Sequence, residues 1–166
     1  MPRRIPFQEN KYYHIYNRWL NKQTLFHDLK DFERFMWYMS EQYEYYKDTI
    51  WIISYCILPN HFHFVLKNNK TWFDISNFIW KISSSYSKYL WSKYDTRRWQ
   101  QIFESRFKSK HLSNEQYLSQ CIKYVEFNPI KHELVKNIDD RVFTSYDKNK
   151  HQGKPDREIL ELDWEF

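Results

Sequence analysis

The chain has 166 residues, a formal net charge of +5 and an aromatic content of 21%. That length suits one domain with a real hydrophobic core. No stretch approaches 18 uninterrupted apolar residues, which excludes a predicted membrane span, and the basic balance favours an anionic partner, nucleic acid before membrane.

The start, Met1-Pro2-Arg3-Arg4-Ile5-Pro6, has no apolar run behind it that would make a signal peptide. Tyr12–Arg18 (YYHIYNR) reads as a first strand. Asp28 is placed to cap a helix to about Lys47, with Phe32, Phe35, Met36, Met39, Tyr43 and Tyr46 forming its apolar stripe. Two β-branched, apolar runs follow, Thr49–Leu58 and His61–Leu66, joined by Pro59-Asn60, and they predict a hairpin. Trp72–Tyr94 reads as a second helix that buries Ile75, Phe78, Ile79, Ile82, Tyr86 and Leu90. Phe103–Leu112 reads as a strand with Arg106, Lys108 and Lys110 alternating along one side. Ser113 and Gln116 form a predicted capping box for a third helix to about Phe127. Pro129 is expected to interrupt that helix, with a short helix Ile130–Lys136 beyond it. Residues 1–147 thus form the domain, and 148–166 a polar tail carrying the single glycine, Gly153. The order β-α-β-β-α-β-α suits an α+β, ferredoxin-like sandwich with a mainly antiparallel sheet flanked by helices.

Cys56 and Cys121 both fall in apolar, regular segments and form no disulfide framework, so reduced core thiols of a cytoplasmic protein are expected. Lys, Asn, Ile, Tyr and Phe have AT-rich codons, so their abundance carries a compositional signal from the gene as well as a structural one.

Two short segments carry candidate chemistry. In Leu58-Pro59-Asn60-His61-Phe62-His63, alternation puts His61 and His63 on one side of the strand and Phe62 on the other, toward a core. Two converging imidazoles suit one divalent ion, although the same pattern describes a polar strand face with no ligand. In Tyr124-Val125-Glu126-Phe127-Asn128-Pro129, Tyr124 and Asn128 share a helix face four residues apart. Tyr124 offers a phenol and Asn128 an amide oxygen. Asn128 before Pro129 also reads as the N-cap of the short helix that follows.

The Pro-Asn-His-hydrophobe-His hairpin followed by a Tyr-x-x-x-Asn-Pro helix resembles the single-tyrosine HUH transposases. Within them it is most similar to the REP-associated tyrosine transposases, relatives of the IS200/IS605 group. Tyr13-His14-Ile15-Tyr16-Asn17-Arg18, Phe26-His27-Asp28, Arg106-Phe107-Lys108-Ser109, Tyr117-Leu118, Asn128-Pro129-Ile130-Lys131 and Phe143-Thr144-Ser145-Tyr146 add to the likeness. Ser105 departs from it, since relatives commonly carry Gly there. The resemblance implies His61, His63 and Asn128 as ligands of Mg²⁺ or Mn²⁺ and Tyr124 as the nucleophile. It implies single-stranded or hairpin DNA as substrate, cut through a 5′-phosphotyrosine, by a monomer or a homodimer. Backbone phosphates are assigned to Arg3, Arg4, Arg18, Arg106, Lys108 and Lys110. Two other readings fit parts of the pattern. One is a non-catalytic nucleic-acid-binding module. The other is a small zinc protein using Cys56, His61 and His63.

Overall fold

The computed structural model describes residues 7–24, 26–70, 73–95, 101–134 and 143–146. Within them run β1 (Lys11–Arg18), α1 (Leu29–Tyr46), β2 (Ile50–Leu58), β3 (His61–Asn68), α2 (Asp74–Lys93), β4 (Lys108–Leu112), α3 (Glu115–Lys131) and β5 (Phe143–Thr144). The strands form one sheet in the order β4-β1-β3-β2-β5, with every neighbouring pair antiparallel. The first four strands take the ferredoxin-like order, and β5 extends the β2 edge. The α+β architecture is therefore the one anticipated from the element order. Arg3, Arg4, Trp72 and the tail lie outside the described residues. Among the described residues no helix is long and apolar enough to cross a membrane.

Alternation along the strands sorts the side chains into two layers. Tyr13, Ile15, Ile50, Ile57, Phe62, Phe64 and Leu66 face α1 and α2 in the larger core. From α1 that core receives Phe35, Met39 and Tyr46, with Phe32, Met36 and Tyr43 partly buried against it. From α2 it receives all six stripe residues, Ile75 to Leu90. Cys56, Leu58, Val65 and Leu112 face the other way and pack against Cys121, Tyr124 and Val125 of α3. Both cysteines are buried and unbridged. A bulge lets β2 serve both layers. Ile52 pairs with Leu66 and Ser54 with Val65, so Ile53 is the extra residue.

The start of α1 is bolted to the end of α2. Asp28 accepts from the Asp31 N–H (3.0 Å), and Asp31 accepts in return from the Asp28 N–H (3.4 Å), which completes a capping box. Asp31 is fully buried and also accepts from Tyr89 (2.8 Å), Tyr94 (2.6 Å) and Lys93 (2.6 Å). Burial alone would raise its pKa, but the hydrogen bonds from Lys93, Tyr94, Tyr89 and the His27 N–H outweigh burial and hold it below the ordinary carboxyl value.

Three local expectations are corrected. The fourth strand begins at Lys108, not Phe103. The Glu104 N–H reaches the Arg18 carbonyl (3.0 Å) and the Asn17 amide reaches the Ser105 carbonyl (3.2 Å), so residues 104–106 bend around the end of β1. Phe103 keeps only an isolated bridge to Trp19. The third helix is capped by Asn114, whose side chain accepts from the Tyr117 N–H (2.7 Å), and not by Ser113 with Gln116. Pro129 does not end that helix. It falls in the last turn, where its missing N–H removes a single bond, and the backbone recovers through His132 N–H to Asn128 O and Leu134 N–H to Pro129 O, both 3.0 Å. Asn128 is thus an interior residue of α3 and not an N-cap.

Phe62 is 1% exposed and packs against Trp19, Phe35 and Phe64. Phe62→Ala is expected to lower unfolding free energy by about 3–5 kcal/mol in urea titrations. For Asp31, the lowered folded pKa means its stabilisation is present above the ordinary carboxyl pKa and is lost as pH falls through the folded value. Asp31→Asn is expected to cost about 2–3 kcal/mol at pH 7. The urea midpoints of wild type and variant should converge as the medium is acidified through the folded-state pKa, which lies below the ordinary carboxyl value.

Candidate active site

Antiparallel pairing sets Arg18 opposite His61, Tyr16 opposite His63 and His14 opposite Val65. Directly opposed residues share a face, so Arg18, Tyr16, His14, His61 and His63 all lie on the α3 side of the sheet. Phe62 lies on the other side, as alternation predicts. The histidine face is not open, however. His61 is 4% exposed and His63 fully buried, because α3 covers the strand. On the outer flank, β4 places Lys108 opposite Tyr16 and Lys110 opposite His14.

Helix α3 brings the phenol and the amide to the histidines. The Tyr124 ring stands edge-on to His63 at 5.7 Å between centroids and edge-on to His14 at 6.2 Å. The Lys131 ammonium also lies 5.4 Å from the ring centre. Asn128 is fully buried. It lies near enough to His61 and Tyr124 to bias the protonation of both, yet neither of its amide atoms completes a hydrogen bond of standard geometry. A buried amide without such bonds is costly. Beside the His61 imidazole, its oxygen suits a third ligand.

The Nδ1 side of each imidazole is engaged by the protein. His61 Nδ1 contacts the Asn60 side-chain oxygen, and His63 Nδ1 lies 2.9 Å from His14 Nε2. In each ring Nε2 is therefore the nitrogen that would serve an ion. Four histidines stand in a row, His14, His63, His61 and His132, with successive ring centres 5.1, 5.0 and 5.1 Å apart. Among the described residues no three His, Cys, Asp or Glu side chains converge as a metal cage. The set foreseen from sequence has only two such groups and an amide, so it fits a site with open positions. The zinc reading gains nothing here. Cys56 stands opposite His63, but burial pushes its thiol well above the usual range, and among the described residues no further ligand of these types joins them.

Burial, reinforced by the Lys110 ammonium, lowers His14 to about 3. Burial also lowers His61 to about 3, with His132 and Arg18 adding to the effect and Asn128 opposing it. His63 is held well below its ordinary value, first by burial and then by its histidine neighbours and Arg18. These rings stay neutral near pH 7, the form that binds metals. Burial pushes Tyr124 up to about 12, with the nearby Asn128 side chain acting in the opposite direction. Its hydroxyl is therefore protonated at rest. Tyr117, the next tyrosine back, packs against Lys110 about 10 Å along the helix from Tyr124.

Of the cations assigned to phosphate, Lys108 and Lys110 are exposed on the site face and Arg18 is half-buried beside it. Arg106 is exposed in the bend rather than on the strand. A polar pocket at the mouth is lined by Tyr16, Asn17, Arg18, Glu104, Ser105 and Lys108. His14, Tyr16, Lys131 and His132 were not foreseen as site residues. Alternation along Tyr12–Arg18 groups His14, Tyr16 and Arg18, but only the pairing of β1 with β3 shows what they face.

Residues 7–128 match the family described as "Transposase IS200 like", a span that contains the histidine pair, Tyr124 and Asn128. Among solved structures, the fold is similar to that of a REP-associated tyrosine transposase bound to a REP hairpin. The TM-score is 0.67 at 17% identity, covering 88% of this chain and 82% of that one. At that identity the likeness is one of fold. A putative transposase from Deinococcus radiodurans gives a TM-score of 0.49 at 12% identity, over 76% of this chain and 96% of that one. No curated protein matches.

Proposed function

The chain belongs to the IS200-like transposase family, and we propose that it cuts and rejoins single-stranded DNA with Tyr124 as nucleophile and a divalent ion, Mg²⁺ or Mn²⁺, held by His61, His63 and Asn128. The observation that carries this reading is the convergence of two elements distant in sequence. Helix α3 sets Tyr124 edge-on to His63, with Asn128 one turn further on, near His61. The Asn-Pro pair and the polar tail favour the REP-associated branch, and the solved relative of similar fold is bound to a REP hairpin, so hairpin DNA is the proposed substrate.

When bound, the ion would draw charge from the scissile phosphate and help to hold it. The chain's own groups do the rest. Attack by the Tyr124 oxygen forms one O–P bond and breaks the bond to the 3′-oxygen. The phenol proton is lost and the leaving oxygen gains one, giving a 5′-phosphotyrosine and a free 3′-OH. The ester keeps the phosphodiester energy, so a 3′-OH can reverse the step without a nucleotide cofactor. Arg18, Lys108 and Lys110, on the site face, would neutralise flanking phosphates, and Arg106 would add a contact from the bend; Arg3 and Arg4 are proposed for the same role from the sequence alone. The enzyme would act as a monomer or a homodimer.

Tyr124→Phe keeps the ring packing and removes the attacking atom. With oligonucleotides from the gene's flanks and Mg²⁺, wild type is expected to give a covalent adduct on a denaturing gel, and the variant none, while binding the DNA as before. An adduct that persists would remove Tyr124 and make Tyr117 the next candidate. No adduct from wild type would favour the binding-module reading.

Asn128→Ala tests the third ligand. The Mn²⁺ concentration needed for half-maximal cleavage is expected to rise roughly tenfold or more. Stability should change by less than about 1 kcal/mol, because no well-formed hydrogen bond is lost. An unchanged Mn²⁺ midpoint takes Asn128 out of the site.

A further inference from the structure

We propose that His14 is a positioning residue that holds His63 in the tautomer with its proton on Nδ1 and so keeps His63 Nε2 as the coordinating nitrogen. The inference rests on the metal-site reading above and adds a residue to it. His14 is on β1 and His63 on β3, one position apart diagonally, since His14 pairs with Val65 and Tyr16 with His63. Their rings are close to parallel, 13° apart, and His14 Nε2 lies 2.9 Å from His63 Nδ1. Each neutral imidazole has one donor and one acceptor nitrogen, so a single proton lies between these two atoms. If His14 supplied that proton, His63 would carry its own on Nε2, where an ion needs a lone pair. If His63 supplies it, His63 Nε2 can coordinate and His14 accepts. Only the second arrangement gives a ligand.

The surroundings hold His14 in place for this role. It is 2% exposed, so water does not readily replace it as acceptor. Its ring packs against Tyr16 (4.9 Å) and edge-on to Tyr124 (6.2 Å), which restricts its rotamers. Lys110 stands opposite it on β4, while His61, His132, Arg18, Tyr16, Tyr124 and Cys56 are charged or titratable groups around His63. His61 shows the same device in simpler form, with the side-chain oxygen of Asn60 at its Nδ1. A carbonyl oxygen can only accept, so it selects the Nδ1–H tautomer outright. His14 must make the same selection with a ring that could in principle do either.

The test uses the full chain, metal-free and ¹⁵N-labelled at histidine, with long-range ¹H–¹⁵N correlation spectra to identify which ring nitrogen of His63 lacks a proton. The expected result is Nε2 in wild type. In His14→Phe the proton should appear on Nε2 in a substantial fraction of molecules, and Mn²⁺ binding should weaken roughly 10- to 100-fold. His14→Gln, whose amide oxygen can accept from Nδ1–H, should recover both the tautomer and the binding. A merely structural role would not produce that recovery. A wild-type His63 protonated on Nε2 overturns the inference, and this measurement needs no variant to fold. Mn²⁺ binding by folded His14→Phe at wild-type strength overturns it as well. Equal Mn²⁺ binding by wild type and His61→Ala would instead sink the metal-site reading, whatever the tautomer.

Discussion

From His61 to Leu66 every side chain of β3 is buried, on both faces of the sheet. A strand in that position needs a layer on each side, and the two layers differ in kind. The α1–α2 layer is apolar and aromatic, with Phe35, Phe78, Ile79 and Tyr86 against Phe62 and Phe64. The α3 layer is narrow, and it covers a strip where Val65 of β3 gives way to His63 and His61 near the hairpin turn, opposite Cys56 and Leu58 of β2. Polar groups buried this way persist only when they are partnered or serve a ligand. The position of α3 over that strip therefore determines both the stability of the sheet and the composition of the site.

Two features hold α3 there. One is the short β5 segment. The single Thr144 hydroxyl proton is shared between the carbonyls of Tyr55 (3.1 Å) and Glu126 (3.3 Å), while Ser145 Oγ contacts Glu126 (3.2 Å) and Ser54 (3.1 Å). Glu126 is two residues from Tyr124, so this strap ties the helix that carries the phenol to β2. The other is the continuity of the helix through Pro129. A break at Phe127 would have left Asn128 free to rotate out of phase with Tyr124. Because the helix continues, the four-residue spacing places both side chains on the sheet side.

The electrostatics follow from this packing. His14, His61 and His63 are kept neutral mainly by burial, and the cations Lys110 and Arg18 reinforce the effect from the flanks. Tyr124 is kept protonated by the same burial. The resting site thus carries neutral donors inside and positive charge at its margin. That distribution suits a phosphate-bearing strand.

The hairpin, the buried stripes of α1 and α2, the shared face of His61 and His63, and the opposite facing of Phe62 could all be read from the chain alone. Each is encoded within a few residues by turn chemistry and by side-chain periods of 2 or 3.6. The Tyr124–Asn128 spacing was legible for the same reason. Tertiary structure decided the rest. The register of β1 on β3 put His14 against His63, and strand registry depends on complementarity between segments 49 residues apart. Competing backbone bonds chose Asn114 as the cap, shortened β4 to Lys108–Leu112 and let α3 run through Pro129. Local propensity names the candidates for such positions, but the energy that selects among them comes from packing against the remainder of the fold. Covering the histidine face with α3, which turns two strand residues into a buried site, is the clearest case. Nothing in His61-Phe62-His63 specifies which helix will lie over it.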